Sequence, residues 1–222
     1  MTAMTAIVFD LDGTLIDSAP DIRAIANAVL RGVGAEPITL EQTRSFIGNG
    51  AATFVARMIA EQGVVADAAL QEKMLAEFKE RYNSAAEHSA LYPGVADLLA
   101  RLGADGHALG LCTNKPLRPA RFVLDHFGIL GHFGAVLGGD SLPETKPDPA
   151  PLLKVFEMLG ADPENSLYVG DSEVDAETAA RAGVPFALFL GGYRKTPAEE
   201  LPHEMAFERF DALPAFIESR FR

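Results

Sequence analysis

Short apolar runs that alternate with helical patterns are the main periodic feature of this sequence. The first run covers residues 6–9 and is partly β-branched, which is typical of a strand buried on both faces. Similar runs occur at residues 108–112, 135–137, 167–169 and 184–190. Segments with apolar residues at helical spacing begin between them, near residues 93, 116, 149 and 173. This alternation predicts an α/β fold, a Rossmann-like doubly wound parallel sheet with helices on both faces.

One segment breaks the alternation, because the pattern from about residue 17 to about residue 87 is helical throughout. Apolar positions predict four amphipathic helices there. The second begins at a capping box, with Thr39 at the N-cap and Gln42 three residues later. We therefore expect an α/β core made of residues 1–16 and 88–222, with an inserted α-helical cap domain made of residues 17–87.

Charge and cysteine content narrow the range of functions. The chain has 222 residues, with 19 Lys and Arg against 31 Asp and Glu, so its formal net charge is −12. This acidity argues against binding to nucleic acid or to an anionic membrane. The single cysteine, Cys112, excludes a disulfide within the chain and a zinc site built from cysteines. Neither a targeting segment nor a membrane-spanning stretch is present, which predicts a cytoplasmic protein; the oligomeric state is not specified.

Acidic residues follow two of the predicted strands. Asp10 and Asp12 come directly after the first strand, at a position where side chains face the ligand crevice of an open α/β sheet. Asp171 follows a later strand, and Asp175 lies one helical turn beyond it. Converging carboxylates raise one another's pKa values unless a cation compensates them, and carboxylate ligands favour Mg²⁺. The sequence therefore predicts a Mg²⁺ site at the ends of these strands.

An EF-hand calcium loop is an alternative for the first acidic pair, since it also begins with Asp-x-Asp. Counting from Asp10, that loop requires Gly at its sixth position and Glu at its twelfth, but the sequence has Leu15 and Asp21 there. The pair also follows a predicted strand rather than a helix. These departures exclude the calcium loop, whereas a plain acidic turn remains an alternative.

Polar residues follow two further strands. Thr113 comes directly after the run at residues 108–112 and precedes Asn114, which places a hydroxyl and main-chain N–H groups at the crevice. Lys146 lies in a loop that the following prolines, Pro147 and Pro149, make stiff. A hydroxyl, N–H donors and a positive charge beside carboxylates suit a phosphoryl group.

Taken in order, these motifs resemble the four motifs of the haloacid dehalogenase superfamily. The matching elements are Asp10-x-Asp12-Gly13-Thr14, Thr113, Lys146 and Gly170-Asp171-Ser172-x-x-Asp175. Segments that resemble the phosphoglycolate phosphatase branch of this superfamily are 46–50, 92–95, 113–116, 138–143 and 146–149. The resemblance covers essentially the whole chain, including a helical cap between the first two motifs.

The resemblance implies a role for each acidic residue. Asp10 would be the nucleophile that takes the phosphoryl group as an aspartyl-phosphate, and Asp12 would act first as general acid and then as general base. Asp10, the main-chain carbonyl of Asp12, and Asp171 would hold Mg²⁺, with Asp175 supporting that site. The implied activity is Mg²⁺-dependent hydrolysis of a small phosphorylated metabolite, with 2-phosphoglycolate as the expected substrate.

The same resemblance implies which residues bind the substrate. Thr113, Asn114 and Lys146 would bind the phosphoryl group, with Lys146 also neutralising the nucleophile. The carboxylate of phosphoglycolate needs a further cation. Arg44, in the cap segment that resembles the element facing the active site, is one candidate, and Lys115 beside Thr113 is the other.

Other functions stay open at this stage. A broader sugar-phosphate phosphatase or a phosphosugar mutase of the same superfamily would share the four motifs and the cap. A phospho-receiver signalling module also combines acids, Thr and Lys around Mg²⁺, but it takes phosphate late in its sheet and carries no helical cap. Haloacid dehalogenases lack the second acid of the first motif, so Asp12 favours phosphoryl transfer.

Overall fold

The computed structural model describes residues 5–221, so residues 1–4 and 222 of the predicted core lie outside the described part. Its main sheet has six strands, and all neighbouring strands are parallel. In chain order they are β1 (Ala6–Phe9), β4 (Ala108–Cys112), β5 (Ala135–Leu137), β6 (Leu167–Gly170), β7 (Phe186–Phe189) and β8 (Met205–Phe207). The labels β2 and β3 belong to a separate two-stranded pair described below. The spatial order β5-β4-β1-β6-β7-β8 and the helices on both faces confirm the predicted fold class.

The side chains of β1 alternate between two apolar layers. Ile7 and Phe9 lie in a cluster with the helices α5 (Val95–Ala104), α6 (Leu117–His126) and α9 (Leu213–Arg220). Ala6 and Val8 lie in the opposite cluster with α7 (Ala150–Leu159) and α8 (Glu173–Ala182). Because both faces of β1 are covered, all four of its side chains are fully buried, which explains its continuous apolar run.

Four helices between β1 and β4 share a cluster of their own, and we call them the cap helices. They are α1 (Ala19–Gly32), α2 (Leu40–Phe46), α3 (Gly50–Glu61) and α4 (Ala68–Tyr82). Their buried side chains, such as Met58 and Phe78, pack on one another rather than on the sheet. The capping box at Thr39 and Gln42 is present at the start of α2, as predicted.

The chain passes to and from the cap helices through two very short strands. β2 (Ile16–Asp17) pairs in antiparallel fashion with β3 (Ala90–Leu91). Asp21 at the start of α1 accepts hydrogen bonds from the main-chain N–H of His88 and from Ser89, which fastens the two connections together. Two residues per strand are too few to show a hydrophobic period, so the sequence did not predict this pair. The domain boundaries at residues 17 and 87 stay predictions.

The sheet order sets where ligands can approach. The chain builds β4 and β5 on one side of β1 and then returns to build β6, β7 and β8 on the other. Crevices at the carboxyl ends of strands open where the order reverses in this way, here between β1 and β6. Asp10 follows β1 and Asp171 follows β6, so the topology brings these carboxylates together. No helix in the described part of the chain is long and apolar enough to cross a membrane.

Candidate active site

A small cavity, about 50 Å³ in volume, lies between the carboxyl ends of the strands and the cap helices. The core side of the cavity is polar and holds the acids and lysines singled out in the sequence. The cap side is mostly apolar and includes Ile47, Ala51, Phe54 and Phe78, with the hydroxyl of Tyr82 among them. The cavity therefore combines a charged wall with an apolar wall.

Lys146 is the centre of the charged wall. Its ammonium group donates to Asp10 Oδ1 at 2.7 Å, to Asp175 Oδ1 at 2.7 Å and to the hydroxyl of Tyr168 at 2.8 Å. A lysine ammonium has three N–H donors, so all of them have acceptors within the protein. The group is buried between two carboxylates, and its positive charge lies directly beside Asp10.

Asp175 is held by hydrogen bonds on both of its oxygens. Oδ1 accepts from Lys146 and Tyr168. Oδ2 accepts from the hydroxyl of Ser172 at 2.7 Å and, in the capping box of α8, from the main-chain N–H of Ser172 at 3.2 Å. Burial alone would raise the pKa of Asp175, but the charge of Lys146 and these hydrogen bonds lower it below its usual value. Asp175 is therefore a fixed anion that orients Lys146.

Asp171 lies in a tight cradle beside the cavity. Thr14 Oγ1 donates to its Oδ1 at 2.9 Å, and the main-chain N–H of Tyr193 donates to its Oδ2 at 2.6 Å. A Cβ atom at Gly192 would lie 2.2 Å from that same Oδ2, so only glycine allows the backbone to approach so closely. Burial, followed by the charges of Asp175 and Asp10, raises the pKa of Asp171 well above its usual value.

Three buried carboxylates meet at this point. Oxygen atoms of Asp10, Asp171 and Asp175 all lie within 4.8 Å of one another. Burial is the largest cause that raises the pKa of Asp10 to about 7; the charge of Lys146 opposes it and that of Asp175 adds to it. A hard divalent cation, which prefers oxygen ligands, relieves the repulsion among buried carboxylates. The residues present thus fit a divalent metal ion.

Asp12 lies where the core meets the cap. Its Oδ1 accepts from Ser18 Oγ at 2.6 Å and from Lys115 Nζ at 3.0 Å. Its Oδ2 lies 3.4 Å from the hydroxyl of Tyr82, at the end of α4. The Lys115 ammonium in turn donates to that hydroxyl at 2.7 Å, so Lys115 joins Asp12 to the cap.

Thr113 and Asn114 follow β4 but serve different parts of the site. Thr113 is buried, lines the cavity and accepts the main-chain N–H of Lys115 on its hydroxyl. The Asn114 side chain donates to the carbonyls of Gly48 and Lys146, each at 2.9 Å, and accepts the main-chain N–H of Lys146 at 3.0 Å. The Asn114 side chain therefore connects the loop of Lys146 to the cap.

Arg44 is not brought to the cavity. Its guanidinium pairs with Asp17 Oδ2 at 3.1 Å and lies over the ring of Tyr193, and its side chain is 43% exposed. Arg44 is also absent from the residues that line the cavity in the described chain. In this arrangement the arginine ties α2 to the connection that leads from the core, and Lys115 is the substrate-carboxylate candidate that does face the cavity.

Three tyrosines belong to the site although the sequence did not single them out. Tyr168 lies within β6 and Tyr82 at the end of α4, where an aromatic residue is typical of an apolar core. Tyr193 follows two glycines in the loop after β7, and its hydroxyl donates to Asp17 at 2.6 Å. The close glycine pair before Tyr193 was the one available signal, because such pairs mark a close backbone approach.

Comparisons with known proteins agree with this geometry. A sequence model of haloacid dehalogenase-like hydrolases matches residues 7–189. A phosphoglycolate phosphatase of Cereibacter sphaeroides is 47% identical over 215 residues, which cover 96% of this chain and 98% of that protein. A phosphoglycolate phosphatase of Rhodobacter capsulatus is 44% identical over 213 residues, with 96% of each chain covered. The crystal structure of a predicted phosphoglycolate phosphatase from Haemophilus somnus superimposes with a TM-score of 0.92 at 32% identity, covering 97% of this chain and 99% of that one.

Proposed function

The chain belongs to the haloacid dehalogenase-like hydrolase family and is a phosphoric monoester hydrolase; from that premise we propose that it hydrolyses 2-phosphoglycolate to glycolate and inorganic phosphate. The observation that carries the proposal is the placement of Asp10, buried at the cavity floor with the Lys146 ammonium 2.7 Å from its Oδ1. Asp12 lines the same cavity two residues further on.

The first half of the reaction forms an aspartyl-phosphate. An oxygen of Asp10 attacks phosphorus, and the bond between phosphorus and the ester oxygen breaks. Asp12 gives a proton to that leaving oxygen, so that glycolate departs as an alcohol. Lys146 keeps Asp10 aligned and offsets part of the charge that develops on the phosphoryl oxygens, which Thr113 can bind by its hydroxyl.

The second half restores the enzyme. Asp12, now deprotonated, takes a proton from a water molecule that attacks phosphorus. The bond between phosphorus and the Asp10 oxygen breaks, and inorganic phosphate leaves. Ser18 and Lys115 hold Asp12 at 2.6 and 3.0 Å, which keeps one carboxylate available for both proton transfers.

The acidic cluster is proposed to hold Mg²⁺ through Asp10, Asp171 and the main-chain carbonyl of Asp12. When bound there, the ion would supply positive charge that offsets the repulsion between an anionic nucleophile and an anionic phosphate. Asp175 is proposed as a supporting residue, because both of its oxygens already accept hydrogen bonds from the protein.

The lining of the cavity bears on the substrate. Its cap side is mostly apolar, which offers few partners for the hydroxyl groups of a sugar ring. Relatives that match the chain over almost their whole length bear the name phosphoglycolate phosphatase. A short phosphate monoester that carries a carboxylate is therefore the substrate that we propose.

Phosphate release with Mg²⁺ should be measured across 2-phosphoglycolate, sugar phosphates and nucleoside monophosphates. We expect a clear preference for 2-phosphoglycolate, and a flat profile would contradict the proposed substrate. Asp10→Asn should abolish turnover while the far-UV circular dichroism spectrum stays that of the folded protein, and the exposed Asp97→Asn serves as the matched control. Mass spectrometry of acid-quenched wild-type protein should find phosphate on Asp10; isomerised phosphosugar in place of free phosphate would instead indicate a mutase.

A further inference from the structure

We propose that Lys115 and Tyr82 form the subsite that binds the carboxylate of the substrate, one residue from the core and one from the cap. This inference rests on the proposed function, because it concerns how the same cavity selects a carboxylated phosphate ester. The two side chains are joined by a hydrogen bond of 2.7 Å from the Lys115 ammonium to the Tyr82 hydroxyl.

The cavity offers a substrate two positively charged side chains. Among the described residues that line it, the cationic side chains are Lys115 and Lys146. The three N–H donors of Lys146 all have acceptors, namely Asp10, Asp175 and Tyr168. A substrate with a second anionic group therefore has Lys115 as its available protein cation.

The Lys115 ammonium and the Tyr82 hydroxyl each have a hydrogen-bond donor that can turn to a ligand. The Lys115 ammonium contacts the Tyr82 hydroxyl at 2.7 Å and the two Asp12 carboxylate oxygens at 3.0 and 3.5 Å. The 3.5 Å contact is too long for a strong hydrogen bond, so the third N–H group can turn to a ligand. The Tyr82 hydroxyl accepts from Lys115 and so keeps its own proton to donate. Its nearest acceptor is Asp12 Oδ2 at 3.4 Å, well beyond the usual length of an O–H···O bond, so the proton can turn to a ligand.

The Lys115 ammonium also lies close to the place where the substrate is proposed to react. Asp12 is proposed to meet the ester oxygen, and a single methylene separates that oxygen from the carboxylate of phosphoglycolate. A group that binds this carboxylate must therefore lie directly beside Asp12. The Lys115 ammonium does so, 3.0 Å from Asp12 Oδ1, and its charge also screens the substrate carboxylate from Asp12.

Burial makes such a subsite selective. The Lys115 side chain is 1% exposed, and the apolar residues Phe54 and Phe78 line the same wall of the cavity as Tyr82. A buried ion pair is screened little by water, and an uncharged group placed there would give up that attraction and leave the third N–H of the ammonium without a strong acceptor. The pair is complete only when α4 lies against the core, so the substrate carboxylate would also hold the cap closed.

The decisive experiment compares two esters that differ only in the carboxylate, 2-phosphoglycolate and ethyl phosphate. In Lys115→Met, we expect the ratio of kcat/KM for phosphoglycolate to kcat/KM for ethyl phosphate to fall about 10- to 100-fold, as for loss of a charged hydrogen bond. Tyr82→Phe should lower the ratio about 3- to 10-fold. Lys115→Arg, which keeps the charge, should restore much of it, and the half-exposed Lys154→Met is the matched control.

A parallel loss of activity on both esters would overturn the proposal, because Lys115 would then act only through Asp12. Equal kcat/KM values for the two esters in the wild-type protein would contradict the proposed function itself, independently of any variant. A binding measurement separates affinity from chemistry. In the inactive Asp10→Asn protein with Mg²⁺, adding Lys115→Met should weaken calorimetric binding of phosphoglycolate but not of ethyl phosphate, and unchanged binding of phosphoglycolate would overturn the subsite.

Discussion

The two walls of the cavity differ in how their side chains are held. On the core side, a network of hydrogen bonds and ion pairs holds the charged groups: Lys146 binds three acceptors, and Asp175 accepts hydrogen bonds on both oxygens. On the cap side, Ile47 and Phe54 meet the cavity through packing, and Tyr82 is held by its contacts with Lys115 and Asp12.

This difference indicates that the two walls have different roles, one in the chemistry and one in substrate selection. Groups that form and break bonds need fixed positions and a fixed field, and a network attached to strand ends supplies both. Groups that select the substrate need shape and a few polar contacts, which the cap can supply. Because the cap helices have their own apolar cluster, their wall can change without moving the strand ends.

Lys146 is the centre of the core network, and its removal should be the most damaging single change to the charged wall. Lys146→Ala leaves Asp10 and Asp175 buried without their counter-charge, so we expect kcat to fall about 1,000-fold. The free energy of unfolding should also fall by ~3–5 kcal/mol, as when one partner of a buried ion pair is removed. Phosphate release and urea unfolding measure the two effects. Lys154→Ala, at an exposed pair with Glu157, should change neither, and a Lys146→Ala protein with a tenth of wild-type activity would contradict these separate roles.

The buried acids of the core wall should make the stability of the protein depend on pH. Burial first, and then Asp175, raise the pKa of Asp10 from 3.8 to about 7, against the charge of Lys146. The folded state therefore binds this proton more tightly than the unfolded state, and stability from this group is lost as pH rises from about 4 to about 7. Between pH 4 and pH 8 in metal-free buffer, Asp10→Asn should gain up to ~4 kcal/mol relative to wild type.

Urea unfolding at several pH values tests this expectation. Asp97→Asn, on an exposed turn of α5, should track wild type at every pH. Saturating Mg²⁺ should reduce the difference between Asp10→Asn and wild type, because the bound cation favours the charged carboxylates. A difference that does not vary with pH would show that the buried acids are not under electrostatic stress.

Thr39 contributes to the cap helices and is not among the described residues that line the cavity. It caps α2 by accepting the main-chain N–H of Gln42 at 3.1 Å. Thr39→Ala should lower the free energy of unfolding by ~1 kcal/mol, and Thr39→Ser should retain most of it. The kcat on phosphoglycolate at 25 °C should stay at the wild-type value within error; a large change in kcat would show that cap stability and chemistry are coupled.

The sequence was sufficient to predict the position of the polar groups that lie at strand ends. Asp10, Thr113 and Asp171 each follow a run of apolar residues, and a parallel sheet brings the carboxyl ends of its strands to one edge. Strand position and residue type together therefore predicted both the fold and the polar wall of the cavity. The capping box at Thr39 was equally visible, because its two residues lie close together in the chain.

The remaining features depend on contacts between distant segments. Tyr82 and Lys115 are 33 positions apart and meet only because α4 lies against the loop after β4. Arg44 faces Asp17 rather than the cavity, and the direction of one side chain on a seven-residue helix cannot be derived from local spacing. Tyrosines within apolar patterns, such as Tyr168, show no polar role until their hydroxyl partners are known.

The β2–β3 pair has a consequence for how such a molecule can diversify. Since Ile16 and Leu91 are direct partners across that pair, the chain enters the cap helices and leaves them at a single place. A longer, shorter or unrelated insert could join the same two residues without altering the register of any strand in the sheet. Replacement of one chain segment, rather than redesign of the catalytic half, is thus the simplest genetic route from this architecture to a different substrate.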